Sequence, residues 1–80
     1  MSRTELSLYD SMLYELEGYG YDLIDEYFDK ERHYPIIIIE GEYTATQENL
    51  DEVMSIINQF TTAEVKYAGY GAIECHLYHL

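Results

Sequence analysis

The residues best able to do chemistry lie at the end of the chain, where Cys75, His76 and His79 form a C-H-x-x-H run. A thiolate and two imidazoles are ligands that zinc accepts. The segment is expected to be a strand, however, and side chains alternate between the two faces of a strand. Cys75 and His79 would share one face and His76 the other, so the three cannot converge on one ion. We therefore expect no metal site, and we expect Cys75 to be a buried thiol.

Carboxylates are abundant, with 16 Asp and Glu in 80 residues, but their spacing matches no catalytic arrangement. A glycosidase needs two carboxyl groups across a cleft, and a chain of this length has little material to wall one. The acids do not follow the Ca²⁺-loop pattern, and no serine lies in a G-x-S-x-G turn. The glycine pairs at 18/20 and 69/71 lack the remainder of a nucleotide-binding loop. The sequence thus predicts neither an enzyme nor a cofactor.

The composition is that of one small globular domain covering residues 1–80, because 48% of the residues are hydrophobic. A single cysteine excludes an internal disulfide, and neither a signal-like N-terminus nor a membrane-spanning apolar run is present. We therefore expect a cytoplasmic protein. The formal net charge of −12 disfavours nucleic acid, membranes and acidic substrates as direct partners. It favours a basic protein surface.

Hydrophobic periodicity predicts the element order α-α-β-α-β-β. Helices are expected over residues 3–17, 21–30 and 47–60, the last of them capped by Thr46. A strand over residues 4–9 is the alternative at the start of the chain. Strands are expected over residues 36–42, 63–67 and 73–79, the last two joined by a turn at Gly69-Tyr70-Gly71. The predicted fold is an α+β domain with a three-stranded, largely antiparallel sheet packed with three helices.

Four consecutive isoleucines, at positions 36–39, predict a strand that is covered on both faces. At the edge of the predicted sheet, such a strand would expose apolar side chains and unpaired backbone groups. Either a helix over that edge or a homodimer would cover them.

Two rows of carboxylates on predicted helices are the strongest functional pattern. The first row occupies positions i, i+3, i+4 and i+7 and consists of Asp22, Asp25, Glu26 and Asp29. The second row repeats the first three offsets and consists of Glu48, Asp51 and Glu52. Like charges at these spacings destabilise a helix, so folding alone does not explain them. A row about 10 Å long is comparable to the span of two or three phosphates, so it would fit the Lys/Arg groove of a nucleic-acid-binding protein.

Ten tyrosines are more than the core of so small a domain can bury with a partner for every hydroxyl group. Tyrosine is favoured at interfaces because it combines a large contact area with few rotatable bonds. We expect the tyrosines near the acids to anchor the partner, and these are Tyr19, Tyr21, Tyr43 and Tyr70.

In size, charge and acid patterning over the whole chain, the sequence resembles the small phage-encoded anti-CRISPR and anti-restriction proteins, some of which act as DNA mimics. The resemblance implies an inhibitor that blocks nucleic-acid access to a CRISPR effector or restriction complex in the host cytoplasm. It rests on no motif, so no residue role is transferred by position. The alternatives are an antitoxin or immunity protein that neutralises a basic toxin or nuclease, and an assembly or regulatory module whose charge is incidental.

Overall fold

The computed structural model describes residues 8–41 and 46–78, in which two helices and four strands follow the order α-β-β-α-β-β. The helices are α1 (Leu8–Gly18) and α2 (Gln47–Ile57). The strands are β1 (Asp22–Asp29), β2 (Tyr34–Glu40), β3 (Ala63–Gly69) and β4 (Ala72–Leu77). They form one sheet in the order β1-β2-β4-β3, with every pair antiparallel. None of the helices in the described ranges is long and apolar enough to cross a membrane.

The α+β class is confirmed, but the prediction of three helices and a three-stranded sheet is wrong. Residues 22–29, which were expected to be helical, form β1. Their apolar members fit a helical spacing, yet two of them are aromatic and one is β-branched, which favours a strand. Pairing with β2 also satisfies backbone groups along both strands. This tertiary gain outweighs the helical periodicity.

The four isoleucines lie in an interior strand. β2 pairs with β1 on one side and with β4 on the other, so this strand needs neither a covering helix nor a dimer partner at its edge. Ile37 and Ile39 belong to the core beneath the helices, and Ile36 and Ile38 point to the opposite face. Ile36 is buried all the same, because Tyr27 of β1 and His76 of β4 flank it.

One short turn connects the two strands of each hairpin. Between β1 and β2, Asp29 Oδ1 accepts hydrogen bonds from the backbone N–H groups of Glu31 at 3.0 Å and Arg32 at 3.1 Å. Between β3 and β4, Tyr70 and Gly71 have φ values of 54° and 81°. A type I′ turn requires positive φ at both central residues, so the turn predicted around Tyr70 is confirmed.

Both helices pack on the same face of the sheet, which we call the covered face. The buried core consists of Met12, Leu16, Tyr21, Ile37, Ile39, Val53, Ile56, Ile57, Ile73, Cys75 and Leu77. Thr46 caps α2 as predicted, since its hydroxyl accepts from the N–H of Asn49 at 3.3 Å and the Asn49 side chain accepts in return. Leu8 and Tyr9 are helical rather than extended, and residues 3–7 of the predicted first helix lie outside the described residues.

Candidate interaction surface

The face of the sheet opposite the two helices, which we call the open face, is defined by the strand register. Paired residues of an antiparallel sheet point to the same side. On β1 and β2 the pairs on this side are Asp22↔Glu40, Asp25↔Ile38, Tyr27↔Ile36 and Asp29↔Tyr34. On β3 and β4 they include Glu64↔His76 and Lys66↔Glu74. The open face therefore combines carboxylates with tyrosines and a small number of basic groups.

A continuous polar network crosses the middle of the open face. The Tyr34 hydroxyl lies 2.8 Å from Nδ1 of His76, and Nε2 of His76 lies 2.5 Å from Glu74 Oε2. At one end of the network Lys66 Nζ lies 3.6 Å from Glu74 Oε2, and at the other Arg32 Nη1 donates to the Tyr34 hydroxyl at 3.3 Å. Both ring nitrogens of His76 therefore have a polar partner on the open face.

Aromatic rings seal the centre of this network. Tyr34 and His76 are only 8% and 3% exposed. The ring of Tyr34 packs edge-on against the ring of Tyr78, with 4.8 Å between centroids, and the Tyr78 hydroxyl donates to Glu64 Oε1 at 2.9 Å. The buried tyrosine and imidazole are therefore shielded from solvent. Their arrangement joins β2, β3 and β4 on the open face.

The first predicted carboxylate row lies on a strand and is divided between its two sides. Asp22, Asp25 and Asp29 face the open side, whereas Glu26 points to the covered side and accepts a hydrogen bond from the Tyr9 hydroxyl of α1. Three of the four predicted members thus share one face, where Asp22 and Asp25 are exposed and Asp29 is partly buried. Asp25 and Asp29 are about 13 Å apart along the strand, at about 3.3 Å per residue. That distance is again comparable to the span of a few phosphates on one nucleic-acid strand.

The second predicted row does lie on a helix. Glu48, Asp51 and Glu52 are exposed on α2, whose opposite side is buried in the core. Because α2 packs on the covered face, this row and the β1 row lie on opposite sides of the molecule. One flat partner surface cannot contact both rows. Glu52 is also engaged within the chain, since its Oε1 accepts a hydrogen bond from the Tyr21 hydroxyl at 2.6 Å.

The four predicted anchor tyrosines differ in exposure. Tyr19 and Tyr70 are exposed, and Tyr43 lies outside the described residues. Tyr21 is only 4% exposed and belongs to the core, so it is not free to anchor a partner. Burial, followed by its hydrogen bond to a carboxylate, raises the pKa of this residue.

Tyr27 is an anchor candidate that the sequence reasoning missed. It is 48% exposed on the open face, between Asp25 and Asp29. In the expected helix over residues 21–30 it would have pointed away from the carboxylate row. The alternation of Asp25, Tyr27 and Asp29 was the signal that could have placed all three on one face of a strand.

Exposed apolar side chains collect at the outer edge of the sheet. Leu23, Ile24 and Phe28 of β1 are all exposed. Phe28 also lines a groove of about 380 Å³, together with Tyr9, Glu26, Tyr27 and Pro35. Burial, reinforced by the hydrogen bond to Glu26, raises the pKa of Tyr9, so its hydroxyl stays protonated and holds that carboxylate against α1.

The C-H-x-x-H run is split between the two faces of the sheet. Cys75 is buried in the core and His76 lies on the open face, the separation expected for a strand, while His79 lies outside the described residues. Burial, with a smaller contribution from Glu74, raises the pKa of Cys75 to about 12 and keeps the thiol protonated. Within residues 8–41 and 46–78, no group of three or more His, Cys, Asp and Glu side chains is placed to hold a metal ion.

The fold and this surface together define a small acidic α+β domain that has its helices on one face of an antiparallel sheet and carboxylates on the other. No protein-family model, no curated protein and no solved structure matches the chain. A functional assignment therefore depends on the chemistry of its own surface.

Proposed function

We propose that this protein is a cytoplasmic inhibitor that binds a basic, nucleic-acid-binding surface of another protein and blocks the access of nucleic acid. A CRISPR effector or a restriction complex would present such a surface. The contact surface in this proposal is the open face, and not a pair of helical rows. The observation that carries the proposal is the carboxylate row of β1 on one face, in which Asp22 and Asp25 are exposed and Asp29 is partly buried at the turn.

The charge distribution favours a cationic partner. The chain carries 16 acidic residues against four Lys and Arg. Two of those basic groups are already near carboxylates on the open face, since Lys66 lies 3.6 Å from Glu74 and Arg32 lies 3.8 Å from Asp29. The remaining negative field would steer a basic protein to this face and would weaken as salt screens it.

Tyr70 also supports a binding role, because folding does not account for it. Its side chain is fully exposed, and its φ of 54° is a conformation that few residues other than Gly, Asn and Asp adopt. Asn or Gly at this turn position would stabilise the hairpin better. A large exposed ring with few rotatable bonds is, however, well suited to contact another protein.

The partner can be identified by retention from host lysate on the immobilised full chain, followed by mass spectrometry. We expect a nucleic-acid-binding protein whose DNA or RNA binding is lost when this chain is added. Retention of a single basic toxin or nuclease that this chain neutralises would instead identify an antitoxin or immunity protein. A retained protein whose nucleic-acid binding is unaffected would contradict the proposal.

Two matched double variants then test the contact surface. Asp25→Asn with Asp29→Asn removes two charges from the open face and keeps the side-chain oxygens that accept backbone hydrogen bonds. Glu48→Gln with Asp51→Asn removes two charges from α2. We expect the first pair to weaken partner binding by about tenfold or more and to reduce its salt dependence. The second pair should change affinity by less than about threefold, and equal effects would show that only net charge matters.

A further inference from the structure

We propose that the partner adds an extended strand to the outer edge of β1. The inference rests on the proposed function, because it specifies how a basic partner reaches the β1 carboxylates. The occupant is defined by its chemistry as a strand in which Lys or Arg alternates with apolar residues.

Among the described residues, β1 is an edge strand of the sheet. Seven of its eight residues are exposed, and within the described residues only β2 pairs with it. Edge strands are usually protected by short length, by charged side chains such as Lys, by Pro or by a bulge. β1 carries acids and a register shift between Leu23 and Asp25, but from Asp25 to Asp29 it pairs regularly with β2 and contains neither Lys nor Pro. Its outer backbone groups therefore offer the template that strand addition uses.

The backbone N–H of Glu26 shows which N–H groups of β1 point away from β2, toward the outer edge of the sheet. This group donates to Oδ1 of Asp25 at 2.9 Å. Since the N–H groups of an antiparallel strand point alternately to its two neighbours, the N–H of Phe28 faces the same outer side. Pro35 lies opposite Phe28 and has no backbone N–H. This agrees with Phe28 and Pro35 being a pair that exchanges no backbone hydrogen bonds, so the Phe28 N–H points away from β2. The carbonyl of an added strand can accept the hydrogen bond from the Glu26 N–H in place of the Asp25 carboxylate. That carboxylate is then free to pair with a cation.

The two faces of β1 differ in chemistry, and this difference sets the pattern of the incoming strand. Asp25 and Asp29 lie on the open side, whereas Leu23, Glu26 and Phe28 lie on the other side. Glu26 and Phe28 line the groove beside α1, where the Tyr9 hydroxyl already binds the Glu26 carboxylate. Side chains of an added strand alternate in the same way as those of β1. Its basic side chains would meet the carboxylates, and its apolar side chains would pack against Phe28 and the groove.

Charge complementarity favours this occupant over a second copy of the chain. Two β1 strands paired antiparallel would bring two sets of four acids together, and each chain has a formal net charge of −12. Like charges on directly paired strands are destabilising. A cationic strand converts the same positions into ion pairs.

Three peptides of the length of β1 test this mode of binding against the full chain. In the first, Lys and Val alternate, and in the second the same residues form one Lys block and one Val block. The third alternates but carries N-methyl groups on every second backbone nitrogen, which removes strand hydrogen bonds without changing charge. Calorimetry at low and high salt gives affinities, and amide hydrogen exchange locates the contact. We expect the alternating peptide to bind about tenfold tighter than the other two and to protect the amides of Glu26 and Phe28.

Each other outcome is decisive. Equal, salt-sensitive affinities without protection at Glu26 and Phe28 would overturn strand addition and leave the acidic contact surface standing. Absence of binding by all three peptides would overturn the proposed function as well. Protection of these amides in the chain alone, rising with its concentration, would show that a second copy is the occupant.

Two exposed aromatic residues, Phe28 on β1 and Tyr14 on α1, provide a test variant and its control. Phe28→Ala removes the apolar contact of β1 without altering its charge. We expect this variant to bind the alternating peptide about tenfold more weakly and to bind the block peptide with almost unchanged affinity. Tyr14→Ala removes a similarly exposed ring of α1 that lines neither β1 nor the groove, and should leave both affinities unchanged. Equal effects of the two variants would contradict the proposed contact.

Discussion

The hydroxyl of Tyr34 lies 2.8 Å from Nδ1 of His76, although the two residues are 42 positions apart in the chain. Their contact links β2 with β4 on the open face, and Glu74 continues it at the other imidazole nitrogen. Neither described helix covers this pair. The polar network and the surrounding rings therefore order a face whose carboxylates repel one another.

Removing the Tyr34 hydroxyl should destabilise the fold. Tyr34→Phe leaves Nδ1 of the buried His76 without its hydrogen-bond partner, so we expect the free energy of unfolding to fall by about 1–3 kcal/mol. Urea denaturation measures the change. Tyr78→Phe is the matched control, because it removes a more exposed hydroxyl that donates to Glu64, and its effect should stay within about 0.5 kcal/mol. Equal losses in the two variants would contradict the role assigned to the network.

Replacing Tyr70 should stabilise the β3–β4 hairpin. Asn adopts positive φ more readily than Tyr, and Asn-Gly is a preferred type I′ sequence. We therefore expect Tyr70→Asn to raise the free energy of unfolding by about 0.5–1 kcal/mol, with little packing lost from a fully exposed ring. Denaturant unfolding tests this, and a less stable variant would show that the ring supports the fold after all. The same variant should bind the partner more weakly.

Alkaline pH should destabilise the protein through Cys75. The folded thiol holds its proton up to about pH 12, whereas the unfolded thiol releases it near 9.0. The folded state binds more protons in between, so stability is complete below about pH 9 and falls above it, by about 1.4 kcal/mol per pH unit for this group. Urea denaturation between pH 8 and 10 should show a total loss of about 1.4 kcal/mol, most of it above pH 9, which Cys75→Ala should abolish. A wild-type curve with no decline would contradict the prediction.

Core and edge isoleucines should differ in their sensitivity to the loss of one methylene group. Ile37 is fully buried, so Ile37→Val should lower the free energy of unfolding by about 1 kcal/mol. Ile24 is an exposed residue at the irregularity in β1, so Ile24→Val should change it by less than about 0.5 kcal/mol. Thermal and urea unfolding of both variants give the comparison. A larger effect at Ile24 would contradict the assignment of β1 as a poorly covered edge.

Local signals predicted the second half of the fold. Thr46 coincides with the start of an apolar stripe, and Tyr70 between two glycines marks a tight turn, so α2 and the last hairpin could be found from sequence. β1 was harder to find, because a register shift between Leu23 and Asp25 interrupts the alternation and leaves it only over residues 25–29. What remained resembled the spacing of a helix.

The interaction surface was only partly predictable for the same reason. Asp25 and Asp29 fall on one side of either a helix or a strand. They were therefore correctly predicted to share a face although the segment was wrongly predicted to be a helix. Glu26 is separated from them only in a strand. The contact between Tyr34 and His76 depends on the pairing of distant strands, which no local sequence pattern encodes.

The pairing of β2 with β4 has a consequence for how the chain folds. It joins residues 32 to 40 positions apart, whereas each hairpin closes over a short turn. Closing the longer loop carries the greater entropic cost, and non-local contacts slow folding. We expect the two hairpins to form early and the pairing of β2 with β4 to limit the refolding rate. The isoleucine strand β2 would then pair with β1 first and with β4 last.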